Sequence, residues 1–232
     1  MQSDNRVDVR NNAFVSLDGD FIQSSGTVEV QSGSSIGGSG SFALNGGTTV
    51  VDGELSLLPQ TIFSPPRRVT VSGGTLLGSG TIAAGTVTNT GGTIGPGSAT
   101  GTLTVFADYT QGPGGTLAIE INSLLAFDLL NVIGDVVLDG LLDLQVDPGY
   151  AAAAQVGDSF TVMGWNGFSG AFDTVTGSDL GGGRFFALDY GDSGLTLTVN
   201  SQVVAAPEPA LLALFGFGIA GIGFTRRRRA RL

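Results

Sequence analysis

The chain has 232 residues, 39 of them Gly, only 13 % charged residues, no Cys and no His, and every one of its ten basic residues is Arg. Disulfides, thiolate metal sites and imidazole general bases are therefore excluded. Residues 1–206 hold nineteen acidic and five basic groups, a field that repels nucleic acid and anionic lipid, so no nucleic-acid partner is expected.

The amino end, "MQSDNRVDVRNNAF", lacks the basic segment and the roughly 7–15 apolar residues of a secretory signal. From Val7 to Asn200 the chain is a series of short alternating or apolar runs cut by Gly, Asn, Asp and Ser. Examples in chain order are "GTVEV" (Gly26–Val30), "RVTV" (Arg68–Val71), "GTLTVF" (Gly101–Phe106), "GTLAIEI" (Gly115–Ile121), "LLDLQV" (Leu141–Val146), "DSFTVM" (Asp158–Met163) and "GLTLTV" (Gly194–Val199). Period-two alternation predicts strands, and the Gly-rich joints predict tight turns. In "GTLAIEI", Leu117, Ile119 and Ile121 share one face while Thr116, Ala118 and Glu120 share the other. Only "YAAAAQV" (Tyr150–Val156) reads as helix, of at most about two turns.

Two repeats are visible. "TVEVQSGSSIGGSGSF" (Thr27–Phe42) aligns with "RVTVSGGTLLGSGTI" (Arg68–Ile82), and a Gly-Thr cadence ends at Thr75, Thr86, Thr93 and Thr102. Recurrent units of one strand and one turn, none able to bury its own face, predict an all-β, right-handed parallel β-helix or solenoid. A β-sandwich with short hairpins is the alternative.

Candidate chemistry is sparse. The carboxylates Asp128, Asp135, Asp139, Asp143 and Asp147, with Asp18 and Asp20 of "LDGD", are the residues an acid-catalysed or Ca²⁺-dependent site would need. Asp139 and Asp147 precede Gly140 and Pro148-Gly149, so they read as turn residues, and Asp143 reads as an exposed strand residue. No cofactor, metal or catalytic residue is assigned, and the chain is expected to be non-enzymatic. "GSGTIA" (Gly78–Ala83) has dinucleotide-motif spacing but is followed by more Gly-Thr turns where a helix is required. "SPPRR" (Ser64–Arg68) reads as a loop bulging from the solenoid, with an anion or glycan contact through Arg67 and Arg68 as the sharper alternative. Trp165, Phe168 and Phe172 read as capping core, against a sugar-stacking platform.

The chain ends in "PEPALLALFGFGIAGIGFTRRRRARL" (Pro207–Leu232). Residues 201–209 form a linker after a body of residues 1–200. Residues 210–224 carry no charge and are predicted as a transmembrane helix, and residues 225–232 form a basic tail. At about 1.5 Å per residue the apolar run spans roughly 22 Å, short of a hydrocarbon core of roughly 30 Å. The Arg cluster predicts that the tail stays cytoplasmic and the body lies across the membrane.

The order Pro-Glu-Pro, short Gly-containing apolar segment and terminal Arg cluster closely resembles the PEP-CTERM sorting signal of bacteria. That resemblance implies recognition and removal of the tail by an integral-membrane exosortase. Pro207, Glu208 and Pro209 would then be the recognition tripeptide, and Arg226, Arg227, Arg228 and Arg229 the cytoplasmic stop. It also implies a cell-envelope or extracellular-matrix destination, transient anchoring in the inner membrane, exopolysaccharide as a neighbour, and a signal peptide ahead of Met1 in the natural precursor. Gly95–Val146, with Gly157–Gly177 and Leu188–Val199, looks like the coil pattern of autotransporter-type passenger β-helices, which implies the same fold. The expected role is structural or adhesive; a polysaccharide-binding or polysaccharide-cleaving β-helix is the alternative.

Overall fold

A computed structural model describes residues 5–57 and 67–202. The described residues up to Ser201 form one compact unit, a parallel β-solenoid of about six turns. The first three coils are β1 (Arg6–Val9), β2 (Phe14–Leu17), β3 (Phe21–Gln23); β4 (Thr27–Val30), β5 (Ser35–Gly38), β6 (Phe42–Leu44); and β7 (Thr48–Val51), β8 (Glu54–Ser56), β9 (Arg68–Val71). In the next two, the second and third sides run together: β10 (Thr75–Gly78) with β11 (Thr81–Asn89), then β12 (Thr93–Pro96) with β13 (Thr102–Gln111). The sixth coil is β14 (Thr116–Ser123), β15 (Ala126–Phe127), β16 (Leu129–Val132) and β17 (Asp135–Leu138). A less regular closing coil follows, made of β18 (Leu141–Val146), α1 (Pro148–Ala153), β19 (Ser159–Gly164) and β20 (Gly167–Gly170). β21 (Thr174–Thr176), β22 (Asp179–Gly181), β23 (Arg184–Gly191) and β24 (Gly194–Ser201) finish the chain's described part.

Each coil stacks on the next through parallel ladders. The first sides form one sheet in the order β1-β4-β7-β10-β12-β14-β18-β21, and the second and third sides form the other. A sandwich built from hairpins would give antiparallel neighbours in sequence order, so this order decides between the two predicted architectures. Antiparallel pairing enters at the β14–β15 hairpin and at the carboxyl end, where β24 pairs with β19 and β23, and β23 with β22.

The core follows from strand parity. Inward columns are Val28–Thr49–Leu76–Ile94–Leu117–Leu142 on the first side and Ile36–Leu55–Ile82–Val105–Val132 on the second. The third side stacks Phe21–Phe42–Val69–Val87–Tyr109–Val136–Phe168. Most of these side chains are buried in one continuous cluster, each full burial contributing about 1.5–3 kcal/mol before entropy. The predicted faces of "GTLAIEI" are those observed: Leu117, Ile119 and Ile121 are buried, and Thr116, Ala118 and Glu120 are not.

Both sequence repeats acquire a meaning different from a coil period. Thr75 and Thr93 stand in one column with Thr27, Thr48 and Thr116, whereas Thr86 starts a third-side segment and Thr102 a second-side one. The aligned segments Thr27–Phe42 and Arg68–Ile82 superpose β4 on β9 and β5 on β10, a shift of one side. The repeating unit is a side with its corner, and the coil repeats instead through Gly26-Thr27, Gly47-Thr48 and Gly74-Thr75. Those glycines have φ of 73°, 84° and 71°, and a Cβ on Gly47 would lie 2.4 Å from the Gly26 carbonyl oxygen. Only Gly combines that backbone with so close an approach of the coil below.

The predicted helix is present but starts at Pro148 and ends at Ala153, because Asp147 caps it from Oδ1 to the N–H groups of Gly149 (2.8 Å) and Tyr150 (3.0 Å). Among the described residues no helix is long and apolar enough to cross a membrane. The predicted transmembrane segment 210–224, the Pro-Glu-Pro tripeptide, the Arg226–Arg229 cluster and Ser64–Pro66 of the predicted bulge lie outside the described residues.

Candidate functional site

The acidic residues that could have formed a catalytic or Ca²⁺ site are spread along the corners. The Oδ1 atom of Asp20 accepts from Ser41 N–H (2.9 Å), that of Asp52 from Ser79 N–H (3.0 Å), and that of Asp108 from Asp135 N–H (2.9 Å). Each bond joins one coil to the next, so a carboxylate replaces a backbone acceptor where the chain bends out of the ladder. Asp139 accepts from its own following N–H at Gly140 (2.7 Å), as a turn residue does. Asp143 is held on the outer face by Thr176 Oγ1 (2.6 Å) and Gln145 Nε2 (3.0 Å). Asp18 meets Ser16 Oγ at 3.4 Å. Among the described residues no three acidic side chains converge on a point where a cation could sit.

Asp128 departs from the turn-and-surface pattern. It is 1 % exposed, and its two oxygens accept from Gly101 N–H (2.8 Å) and Glu120 N–H (2.9 Å). Burial pushes its carboxyl up to about 6, against the pull of those two N–H groups, and the nearby Glu120 charge adds to the rise. The carboxyl clamps the β12–β13 corner to β14, a bracing role that needs no substrate.

A set of interior amides escaped the sequence reading altogether. Gln23, Asn89 and Gln111 end their third-side segments and point inward, all nearly fully buried. Gln23 Nε2 donates to the carbonyls of Gly26 (3.2 Å) and Thr48 (3.0 Å), while its Oε1 accepts from Thr49 Oγ1. Asn89 Oδ1 accepts from Gly92 N–H (3.0 Å), and its Nδ2 donates to Thr116 O (3.1 Å). Gln111 Nε2 reaches the carbonyls of Asp139 and Leu141 (both 3.0 Å) and Gly115 (3.2 Å), and Tyr109 Oη donates to its Oε1 (2.8 Å). Burial pushes the Tyr109 hydroxyl far above its ordinary range, so it stays a donor. Parity held the signal: Phe21-x-Gln23, Val87-x-Asn89 and Tyr109-x-Gln111 put each amide on the same face as a core residue.

At the carboxyl end, Trp165 and Phe172 are buried and Phe168 is half-exposed. The Phe168 ring lies 4.8 Å from Trp165 at 32° and 6.0 Å from Tyr190 at 21°. Two aromatic neighbours therefore occupy it, which favours the capping role over a sugar platform. A second cluster sets Phe160 edge-on to Phe127, Tyr150 and Phe186 at 5.2–5.8 Å. Arg184, which carried no prediction, donates to the carbonyls of Ala151 (3.0 Å), Ala152 (3.4 Å) and Ala154 at the end of α1, where a cation suits the helix dipole. Arg67 is partly buried, with its Nε lacking a hydrogen-bond partner among the described residues, and Arg68 is exposed on β9. "GSGTIA" runs from the end of β10 into β11, strand to strand, which is the wrong context for a pyrophosphate.

Residues 205–229 match the family description "PEP-CTERM protein-sorting motif". No curated protein matches the chain. The motif marks a bacterial protein that is exported to the cell envelope or extracellular surface and has an exosortase as its processing partner. The chain thus joins a β-solenoid body to a PEP-CTERM sorting motif at residues 205–229.

Proposed function

We propose that this is a non-enzymatic structural or adhesive protein of the bacterial surface or exopolysaccharide matrix, whose tail is an address removed on the way. Residues 210–224 cross the inner membrane transiently, Arg226–Arg229 hold the cytoplasmic end, and the exosortase recognises Pro207, Glu208 and Pro209. The observation that carries this reading is the sorting motif at residues 205–229. An apolar run near the lower limit for a span suits passing engagement better than permanent anchoring. The structural role is supported by how the body uses its polar groups: Asp20, Asp52, Asp108 and Asp128 bind backbone between coils, and Gln23, Asn89 and Gln111 bind backbone inside them.

The test is incubation of the purified protein with acidic and neutral polysaccharides, with and without Ca²⁺, following both co-sedimentation and chain cleavage. Binding or coating without cleavage is the expected result. Turnover that disappears in Asp135→Asn or Asp143→Asn variants of unchanged fold would replace this reading with the polysaccharide-cleaving one.

A further inference from the structure

The two ends of the solenoid are built differently. The carboxyl end is closed by antiparallel strands and aromatic clusters. At the amino end, β1, β2 and β3 each pair on one side only among the described residues. The inward Val7 is 40 % exposed there, and Val15, Leu17 and Phe21 are only partly covered. Phe14 and Ile22, on the outer faces of β2 and β3, are 65 % and 64 % exposed, and a groove lined by Arg6, Val7, Phe21 and Ile22 opens beside them.

The charges at this edge have a pattern. The ion pairs among the described residues, Arg6–Asp8 (3.9 Å), Arg10–Asp8 (3.5 Å) and Arg6–Glu29, all involve β1 or the residue following it. Thr27 N–H and Gln31 N–H donate to the carbonyls of Asn5 and Val9. By alternation Asn5, Val7 and Val9 turn their backbone groups to β4, and Arg6 and Asp8 turn theirs outward. An antiparallel copy of Arg-Val-Asp is its own charge complement.

We propose that β1 is a self-association edge at which two copies join end to end about a two-fold axis through Val7, β1 pairing antiparallel with β1 of the second copy. In that register Arg6 and Asp8 of one copy face Asp8 and Arg6 of the other. Each facing pair exchanges both of its outward backbone hydrogen bonds and places opposite charges across the strands. Val7 meets its equivalent over the open core end. The same axis exchanges the other two sides, so β2 faces β3 of the second copy and Phe14 comes beside Ile22. Edge charges ordinarily block such pairing; here their alternation permits one register and penalises that centred on Asp8, which sets Asp8 against Asp8. A single coil end offers on the order of a few hundred Å² per copy, below the ~800 Å² of a standard interface, so the association is weak and concentration-dependent.

The chain's lack of Cys makes the test direct. Val7→Cys is prepared in the full chain in mild detergent, oxidised with oxidised glutathione over a range of protein concentrations, and analysed on non-reducing gels. A non-hydrogen-bonded antiparallel pair puts the two Cα atoms about 4.5 Å apart, within disulfide reach. Covalent dimer is expected for Val7→Cys and not for Thr110→Cys, whose position lies on the outer face of the third side. Adding Asp8→Arg to Val7→Cys sets Arg against Arg twice and lowers the yield about tenfold. The exchange Arg6→Asp with Asp8→Arg restores it, and circular dichroism verifies that each variant keeps its sheet. Association through the apolar tail would not select position 7 or respond to the exchange. Protection of the thiol introduced at position 7 by residues 1–4 or by an upstream segment, equal cross-linking at positions 7 and 110, or failure of the exchange to rescue would each overturn the proposal.

Discussion

Replacing Gln111 by Leu tests whether the interior amides hold the coil together. The side chain is 1 % exposed and serves four partners, the Tyr109 hydroxyl and the carbonyls of Gly115, Asp139 and Leu141. The carbonyls keep a second lone pair, so the largest single loss is at Tyr109, whose buried O–H donor is left without its acceptor while the Asn89 side chain stays beside the oxygen, at about 1–3 kcal/mol. With the lost donor bonds added and leucine's better burial subtracted, the net cost is about 2–4 kcal/mol. In a chain of this size that is a fall of about 5–15 °C in Tm. Tyr109→Phe removes the orphan, so Tyr109→Phe with Gln111→Leu should cost at least about 1 kcal/mol less than the sum of the single changes. Urea unfolding followed by circular dichroism and by fluorescence of the single tryptophan, Trp165, measures both quantities. A loss under about 0.5 kcal/mol, or additivity within about 0.3 kcal/mol, would show that the amides are bystanders.

Three further outcomes follow from the corners and the cap. The raised Asp128 carboxyl protonates near pH 6 in the folded chain and near its ordinary 3.8 when unfolded. Its contribution is therefore complete at pH values below the unfolded one and is lost as pH rises from there through about 6. Relative to Asp128→Asn, the wild type should gain up to about 2–3 kcal/mol between about pH 7 and pH 4; parallel pH profiles of the two proteins would refute this. Gly47→Ala forces a positive φ and a clash with the Gly26 carbonyl, costing about 2–4 kcal/mol in urea unfolding, whereas Gly19→Ala, with open space around it, changes stability by less than about 1 kcal/mol. Arg184→Leu uncovers the carbonyl end of α1 and should cost about 1–2 kcal/mol, with faster amide exchange at Ala151–Ala154 as its local signature.

Strands and their buried faces were legible because parity is a local property, as Leu117, Ile119 and Ile121 demonstrate. The coil was not. Its length runs from 21 residues between Thr27 and Thr48 to 27 between Thr48 and Thr75 and 18 between Thr75 and Thr93. Corners absorb the variation, so an alignment by similarity locks onto one side with its turn and sets β4 on β9. The turn roles of Asp139 and Asp147 followed from neighbouring Gly and Pro, but the partners of Asp20, Asp52, Asp108 and Asp128 lie in other coils and depend on stacking. Gln23, Asn89 and Gln111 carry an inward parity that their polar identity masks, since a buried amide is specified only by carbonyls and hydroxyls of neighbouring coils. The sorting motif was legible for the opposite reason: its order of tripeptide, apolar run and Arg cluster is linear and needs no fold.

If residues 207–232 are an address and not a part of the working protein, the mass of the mature chain must show it. Intact-mass analysis of the protein recovered from the surface or matrix of its native cells is the decisive measurement. A carboxyl end near Pro207–Ala210 is expected and, in cells expressing Glu208→Ala, retention of the unprocessed tail in the membrane. A surface protein whose mass still includes Leu232 would contradict this reading.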